Sequence, residues 1–343
     1  MMKSGTLFEE KTFGLIAPPA PLPHQLQKTP RAKKKKIIVI SGPTGVGKSR
    51  CGILVATAIG GEILSADSMQ VYKGMDIGTA KVSKEEQKAV PHHLIDIREI
   101  SEKFNVVDFF HAATEAIKEI IARGKVPVVV GGTGFYIHAL LYGPPQGPEA
   151  AQEVRDQLEG EIEKLGVTAL YDRLKLLDPT YAGTITQNDR HKIVRALEII
   201  SLTNQKVSDF PKSNEMCEDY DFRCWFLHVP KEALYPHLEA RCEQMLKDGF
   251  VEEVKELEKR GLRNYSIPAQ AIGYRQCLEY LGQPYDEEHY KIFVEAFKRA
   301  SRRYAKRQFT WFRREPLFRW INVANLSLEN VSETIIEDYY LSF

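Results

Sequence analysis

The chain has 343 residues, more than one domain usually holds, so we expect a main domain with an insertion or a second lobe. Its formal net charge is +1 at pH 7, which excludes an argument for nucleic-acid binding from overall charge and leaves only local patches. No apolar run approaches the length of a membrane span, and the five cysteines form no Cys-x-x-Cys pair, which is typical of reduced thiols in a cytoplasmic protein.

The first 36 residues differ from the rest of the chain. They contain a proline-rich stretch at 13–23 and a basic run at 31–36, and they lack a convincing signal-peptide core. Glu9 and Glu10 argue against a transit peptide. We therefore predict a disordered leader at 1–36.

A glycine-rich loop follows the apolar run 37–40 and precedes a helix-compatible segment at 50–58. This order of strand, loop and helix is the context that a phosphate-binding P-loop requires. Backbone N–H groups of such a loop turn towards an anion, Lys48 would pair with phosphate oxygens, and the Ser49 hydroxyl would bind Mg²⁺. The predicted phosphate-binding residues are Gly42, Pro43, Thr44, Gly45, Val46, Gly47, Lys48 and Ser49.

Later segments alternate between strand and helix patterns. Buried strands are predicted at 62–66, 93–97 and 126–130, and a helix capped by Asn105 lies between the last two. A breaker cluster at 143–148 is followed by a charged helical segment, then by a strand at 222–229, helical stretches at 231–260 and 286–314, and a strand at 318–323. We predict an α/β fold with a P-loop NTPase-like parallel sheet, a core at 37–146 and 201–330, a helical insertion domain at 147–200 and a tail at 331–343.

A P-loop NTPase needs a second acidic group for magnesium, usually at the end of a nearby strand. The strand at 126–130 ends instead in the neutral run 131–134, which is suited to close backbone approach and a hydroxyl contact. The strand at 62–66 is the one followed by an acid, Asp67. Because parallel strands end at one edge of the sheet, we expect Asp67 near the P-loop as a metal ligand or general base, or else as a helix cap.

The segment 297–314 is strongly basic, with eight Lys or Arg residues and no acid. Arg299, Arg303 and Arg307 recur every fourth position and would share one helical face, which is either solvated or in contact with a phosphate backbone. The aromatic residues at 297, 304 and 311 recur every seventh position and would face the core or stack on bases. Composition therefore favours an RNA contact along this helix.

Taken together, these residues resemble the tRNA dimethylallyltransferase (isopentenyltransferase) family. The matching stretches are 42–49, 65–81, 91–94, 131–136, 195–198, 241–249, 271–276 and 306–313, in the order that the family has. The resemblance implies transfer of a dimethylallyl group from dimethylallyl pyrophosphate to the exocyclic amine of the adenosine 3′ of a tRNA anticodon. It also implies a cytoplasmic enzyme that acts as a monomer. The zinc finger of eukaryotic members has no counterpart here, which favours a bacterial-type enzyme.

The resemblance also assigns residues. It implies that Asp67 is the general base, that Thr44 and Arg241 are catalytic, that Thr133 contacts the donor or the base, and that Mg²⁺ is the cofactor. Lys192 stands where the family usually has an arginine, so the bidentate contact is lost there. The positions expected to contact tRNA are Asp67, Ser68, Met69, Gln70, Thr133, Arg155, His191, Lys192, Ile193, Val194, Arg195, Gln270, Ala271, Ile272, Gly273, Tyr274, Arg275, Lys306, Arg307, Gln308, Phe309, Thr310, Trp311, Phe312 and Arg313.

Three other functions remain open at this point. An adenylate isopentenyltransferase would prenylate a free nucleotide and would need no extended RNA-binding face. A P-loop kinase or NTPase would need an adenine site and a second metal carboxylate. A noncatalytic RNA-binding protein would not need the intact Lys48, Ser49 and Asp67.

Overall fold

The computed structural model describes residues 34–211 and 219–341. Within them, six parallel strands form one sheet with the spatial order β3-β2-β4-β1-β5-β6. The strands are β1 (Lys35–Ser41), β2 (Gly61–Ser65), β3 (His92–His93), β4 (Val126–Val130), β5 (Tyr220–His228) and β6 (Arg319–Asn322). This sheet confirms the predicted α/β fold.

Helices connect the strands and cover both faces of the sheet. In chain order they are α1 (Lys48–Ile59), α2 (Lys84–Ala89), α3 (Val106–Ala122), α4 (Gly134–Tyr142), α5 (Gln152–Leu165), α6 (Val167–Leu177), α7 (Pro179–Ala182), α8 (Arg190–Thr203), α9 (Lys231–Lys247), α10 (Phe250–Lys259), α11 (Ser266–Ala269), α12 (Tyr274–Leu281), α13 (Glu287–Phe312) and α14 (Leu328–Tyr340). No helix in these ranges is long and apolar enough to cross a membrane.

The central strand β1 shows how the core is organised. Its side chains alternate between the two faces, so Ile37 and Val39 pack towards α3, α4 and the C-terminal helices, whereas Ile38 and Ile40 pack towards α1 and α14. All four are fully buried because helices cover both faces of a parallel sheet. The strand ends at Ser41, directly before the glycine-rich loop.

The helices α5 to α8 form the predicted insertion and have a hydrophobic cluster of their own, which includes Leu158, Leu174 and Leu197. Glu198 is fully buried at the base of this insertion. It accepts hydrogen bonds from the Ala151 backbone and from the Arg155 and Arg195 side chains. These hydrogen bonds join the first helix of the insertion, α5, to its last helix, α8. The two connections between the insertion and the core therefore lie close together.

Some predicted boundaries differ from the structure. The strand predicted at 93–97 is wrong beyond residue 93, because Leu94 (φ 63°) and Asp96 (φ 56°) adopt left-handed backbone conformations that end an extended run. The helical stretch 231–260 divides at Gly249, which has φ 97°.

The two predicted terminal segments also differ in extent. The predicted tail begins inside α14, whose Val331 and Ile335 are buried against the core. The predicted leader lies outside the described residues except for its last three, and Lys35 and Lys36 already belong to β1.

Candidate active site

The glycine-rich loop between β1 and α1 has the conformation of an anion-binding loop. Gly45 (φ 79°) and Gly47 (φ 96°) lie in the left-handed region, where side chains other than glycine are strained. A Cβ at Gly42 would lie 2.4 Å from the carbonyl oxygen of Leu227, so only glycine fits beside β5. The loop ends at the N-terminus of α1, where free N–H groups and the helix dipole favour an anion.

Lys48 is enclosed beside this loop, and its ammonium group donates a hydrogen bond of 2.8 Å to the carbonyl of Pro43. Burial lowers the pKa of Lys48 to about 7, repulsion from Arg241 adds to this effect, and the charge of Asp67 opposes it. An anion in the loop would stabilise the charged form. Ser49 is exposed in the first turn of α1, as a hydroxyl that binds a metal must be.

The three predicted catalytic residues line one cavity of about 350 Å³. Arg241 donates a hydrogen bond of 3.0 Å to the Thr44 hydroxyl, and burial lowers the pKa of Arg241. Helix α9 presents Leu238, Arg241 and Met245 to the cavity because these residues recur at helical spacing. The cavity therefore combines the partly buried Arg241 with an apolar wall, and Asp67 lines it as well.

Asp67 follows β2 and lies at the carboxyl edge of the sheet, as the strand-end argument predicted. Its carboxylate accepts a hydrogen bond of 2.9 Å from the Met69 N–H, which closes a turn, and no helix begins here. Tyr304 from α13 lines the same cavity, and burial together with the Asp67 charge raises the pKa of Tyr304. The cap is therefore wrong as to a helix, although Asp67 does begin a turn, and the carboxylate also lines the cavity.

The glycine run 131–134 allows helix α13 of the same chain to pack closely against it. A Cβ at Gly132 would lie 2.2 Å from Nε2 of Gln308, and one at Gly134 would lie 2.3 Å from Cδ1 of Trp311. The close backbone approach that we expected here is therefore the approach of α13. The predicted hydroxyl contact is internal as well, since Thr133 Oγ1 accepts a hydrogen bond of 3.0 Å from the Ser68 N–H.

Gln308 connects this run to the phosphate loop. Its Oε1 accepts a hydrogen bond of 2.8 Å from the Thr44 N–H, and its Nε2 donates one of 3.0 Å to the Gly132 carbonyl. The side chain is buried, so these internal contacts account for Gln308, and its contact with tRNA stays a prediction. The only sequence signal for this role is an uncharged amide within a run of cations.

Glu253 is a further residue that sequence reasoning missed. It accepts hydrogen bonds from the backbone N–H groups of Asp76, Ile77 and Gly78 and from the Tyr274 hydroxyl, the last at 2.6 Å. The Gly78 end of this loop lines the cavity. An acid on an otherwise charged helix gives no sequence signal of such a role.

Comparison with known proteins fits this arrangement. The model of the family described as IPP transferase matches residues 70–315. The tRNA dimethylallyltransferase of Protochlamydia amoebophila is 57% identical over 309 residues, which cover 90% of either protein. That of Chlamydia abortus is 48% identical over 310 residues, covering 90% of this chain and 91% of the relative. The chain belongs to the IPP transferase family.

Solved structures of similar proteins have the same fold. The full-length tRNA isopentenylpyrophosphate transferase from Bacillus halodurans is 39% identical, with a TM-score of 0.65 and coverage of 90% of this chain and 96% of that one. A eukaryotic dimethylallyltransferase acting on tRNA is 30% identical, with a TM-score of 0.71 and coverage of 88% and 77%.

In this IPP transferase, the predicted tRNA contacts divide by exposure. The exposed ones are His191, Lys192, Gln270, Arg275, Lys306, Arg307, Thr310, Trp311 and Arg313. The partly buried ones are Asp67, Ser68, Met69, Gln70, Thr133, Ile272 and Phe309. The buried ones, besides Gln308, are Ile193, Val194, Ala271, Gly273, Tyr274 and Phe312, of which Ala271 and Tyr274 line the catalytic cavity. Their contacts with RNA stay predictions.

Arg155 and Arg195 are partly exposed but already paired. Both donate hydrogen bonds to the buried carboxylate of Glu198. Pairing with Glu198 explains both arginines without any contact to RNA, because a buried carboxylate without a partner would be strongly destabilising.

The basic helix α13 is paired on one side only. Lys298 pairs with Glu243 and Arg302 with Glu239, both on α9. Among the described residues, no acid lies within ion-pair distance of the other cations of the segment 298–314, which are Arg299, Arg303, Lys306 and Arg307 on α13 and Arg313 and Arg314 directly after it. Arg307 also lines the catalytic cavity, so the unpaired basic face begins at the edge of that cavity.

Proposed function

We propose that this chain transfers a dimethylallyl group from dimethylallyl pyrophosphate to the exocyclic amine of the adenosine 3′ of a tRNA anticodon. The observation that carries the proposal is one cavity lined by Thr44, Asp67, Arg241 and Arg307, the last of which belongs to the unpaired cations of α13. Family membership and the names of the relatives support the same reaction.

The residues suggest how the reaction proceeds. The loop N–H groups, Lys48 and Arg241 bind the diphosphate and neutralise the negative charge that grows as the allylic C–O bond breaks. The adenine nitrogen forms the new bond to the allylic carbon, and the diphosphate leaves with the electron pair. Asp67 accepts the proton from that nitrogen. The apolar wall formed by Leu238 and Met245 keeps water away from the allylic carbon.

Mg²⁺ is proposed as the cofactor, with Ser49 as the residue that would hold it. An exposed hydroxyl in the first turn of α1 fits this ion, which usually keeps several waters and takes substrate phosphate oxygens. Among the described residues, no group of three or more His, Cys, Asp or Glu side chains could supply an all-protein cage. The bound ion would add charge neutralisation on the departing diphosphate.

We also propose that the protein works in the cytoplasm as a monomer. The cysteines at 51, 224, 242 and 277 are buried and free, which fits a reducing compartment.

The acceptor distinguishes tRNA prenylation from the adenylate reaction. We would incubate the protein with Mg²⁺, labelled dimethylallyl pyrophosphate and either bulk tRNA or AMP. Label in tRNA alone is expected, because the four unpaired cations on α13 and the two that directly follow it have no use in binding a mononucleotide. Label in AMP alone would replace the proposal with the adenylate reaction.

The base is tested by Asp67→Ala. Loss of a general base should lower turnover about 100- to 10,000-fold while tRNA binding persists. Glu115→Ala, which removes an exposed acid on α3, is the matched control and should retain full turnover. Unchanged turnover in Asp67→Ala would show that another group accepts the proton.

A further inference from the structure

A groove of about 920 Å³ lies directly beside the catalytic cavity. It is lined by aromatic side chains from α4 and α13, including Phe135 and Trp311, and by cations of α13. Arg307 lines both the cavity and the groove, so the two are contiguous along the helix. The groove therefore offers a surface to a chain that enters the cavity past Arg307.

The two aromatic rings of the groove are exposed although they are large and apolar. Phe135 is 44% exposed and Trp311 is 39% exposed, and their ring centroids lie 6.1 Å apart in an edge-to-face arrangement. The Trp311 ring is held against the bare Cα of Gly134, where a Cβ would lie 2.3 Å from its Cδ1. One part of the ring is thus fixed by packing while the rest is open, and such a preorganised surface loses little entropy on binding.

The charges around these rings select the kind of ligand. Arg303, Lys306 and Arg307 line the groove, and no acid among the described residues lies within ion-pair distance of them. The one carboxylate in the lining, Glu315, is buried and hydrogen-bonded at 2.8 Å to His138, so it does not neutralise them. Exposed aromatic rings bordered by free cations are the combination that binds unstacked bases of single-stranded nucleic acid.

We infer that Phe135 and Trp311 form a stacking subsite for the base of the nucleotide that adjoins the modified adenosine in the RNA chain. The inference rests on the proposed function. An adenosine withdrawn into the catalytic cavity leaves its chain neighbour without a stacking partner. Arg307 lies between the two spaces and contacts the phosphate that links these nucleotides.

The test is a cycle between protein and RNA variants. We would measure the dissociation constants of anticodon stem-loops that are intact, or abasic at the 5′ or the 3′ neighbour of the target adenosine. For the unmodified protein, one abasic RNA should bind roughly tenfold more weakly than the intact RNA. For Trp311→Ala, that abasic RNA and the intact RNA should bind equally, because the stacking partner is already gone. Trp311→Phe should restore most of the difference.

Two further variants make the result decisive. Tyr285→Ala removes a 67% exposed ring elsewhere on the surface and should leave the roughly tenfold difference unchanged. Phe135→Ala repeats the test if Trp311→Ala does not fold. Independent, additive losses at both neighbours would overturn the inference. Transfer to the intact RNA by the unmodified protein is measured in parallel, so failure of the proposed function is recognised separately by the absence of transfer.

Discussion

Lys48 should bind a proton when diphosphate binds. Burial and Arg241 lower its pKa to about 7, so at pH 8 about nine in ten molecules of the free protein carry a neutral Lys48. A diphosphate beside the amine favours the ammonium form and raises this pKa again. Binding at pH 8 should therefore take up about 0.9 proton at this residue, and binding at pH 6 only about 0.1, because the amine is already charged there.

Calorimetry measures this uptake directly. Inorganic diphosphate is titrated into the protein in buffers of different ionisation enthalpy, and the dependence of the heat on the buffer gives the number of protons bound. Lys48→Arg keeps a permanent charge, so its difference from the unmodified protein separates Lys48 from the protonation of diphosphate itself. Equal uptake by both proteins at pH 8 would refute the assignment of the lowered pKa to Lys48.

The same residue affects the free energy of unfolding. Because the folded-state pKa lies below the unfolded value, the unfolded chain binds more protons at Lys48 between about pH 7 and 10.5. This contribution therefore disfavours the folded state most below about pH 7, and the disadvantage disappears as the pH rises towards 10.5. Lys48→Met should melt at a higher temperature than the unmodified protein at pH 7, and the difference should disappear near pH 10.

The remaining predictions concern α13. Changing both Arg303 and Arg307 to Ala should weaken tRNA binding and lower the slope of log K against log salt by about 0.7–0.9 per lost phosphate contact, whereas an unchanged slope would remove both side chains from the interface. Gln308→Ala leaves the Thr44 N–H and the Gly132 carbonyl unpaired and should lower the free energy of unfolding by about 1–3 kcal/mol in urea titrations. Unchanged stability of Gln308→Ala would show that water replaces both contacts.

The parts of the site that depend on local sequence could be predicted. The glycine loop needs only a strand before it, a helix after it and residues that tolerate left-handed backbone, and all three lie within 37–58. Asp67 followed from one general rule, that parallel strands end at a common edge. Both inferences rest on geometry that adjacent residues determine.

The parts that depend on distant contacts could not be predicted. Gln308 meets Thr44 across 264 positions of sequence, and Glu253 meets Gly78 across 175. A run of glycines, as at 131–134, indicates only that something approaches closely, and the structure identifies that neighbour as a helix of the same chain. Amphipathic helices limit the sequence argument in another way, because a motif that matches over consecutive positions also includes inward-facing residues such as Ile193 and Phe312.

The wall opposite the phosphate loop determines which chemistry the loop supports. In this fold that wall is α13, whose Tyr304 lines the same cavity as Asp67 and whose Gln308 holds the Thr44 N–H. The same helix carries the unpaired cations, with Arg307 at the point where the cavity opens. Binding of an anionic chain and completion of the catalytic cavity therefore depend on a single helix packed against glycines. For this reason the P-loop alone could not identify the reaction, whereas the P-loop together with α13 favours transfer to a nucleic acid.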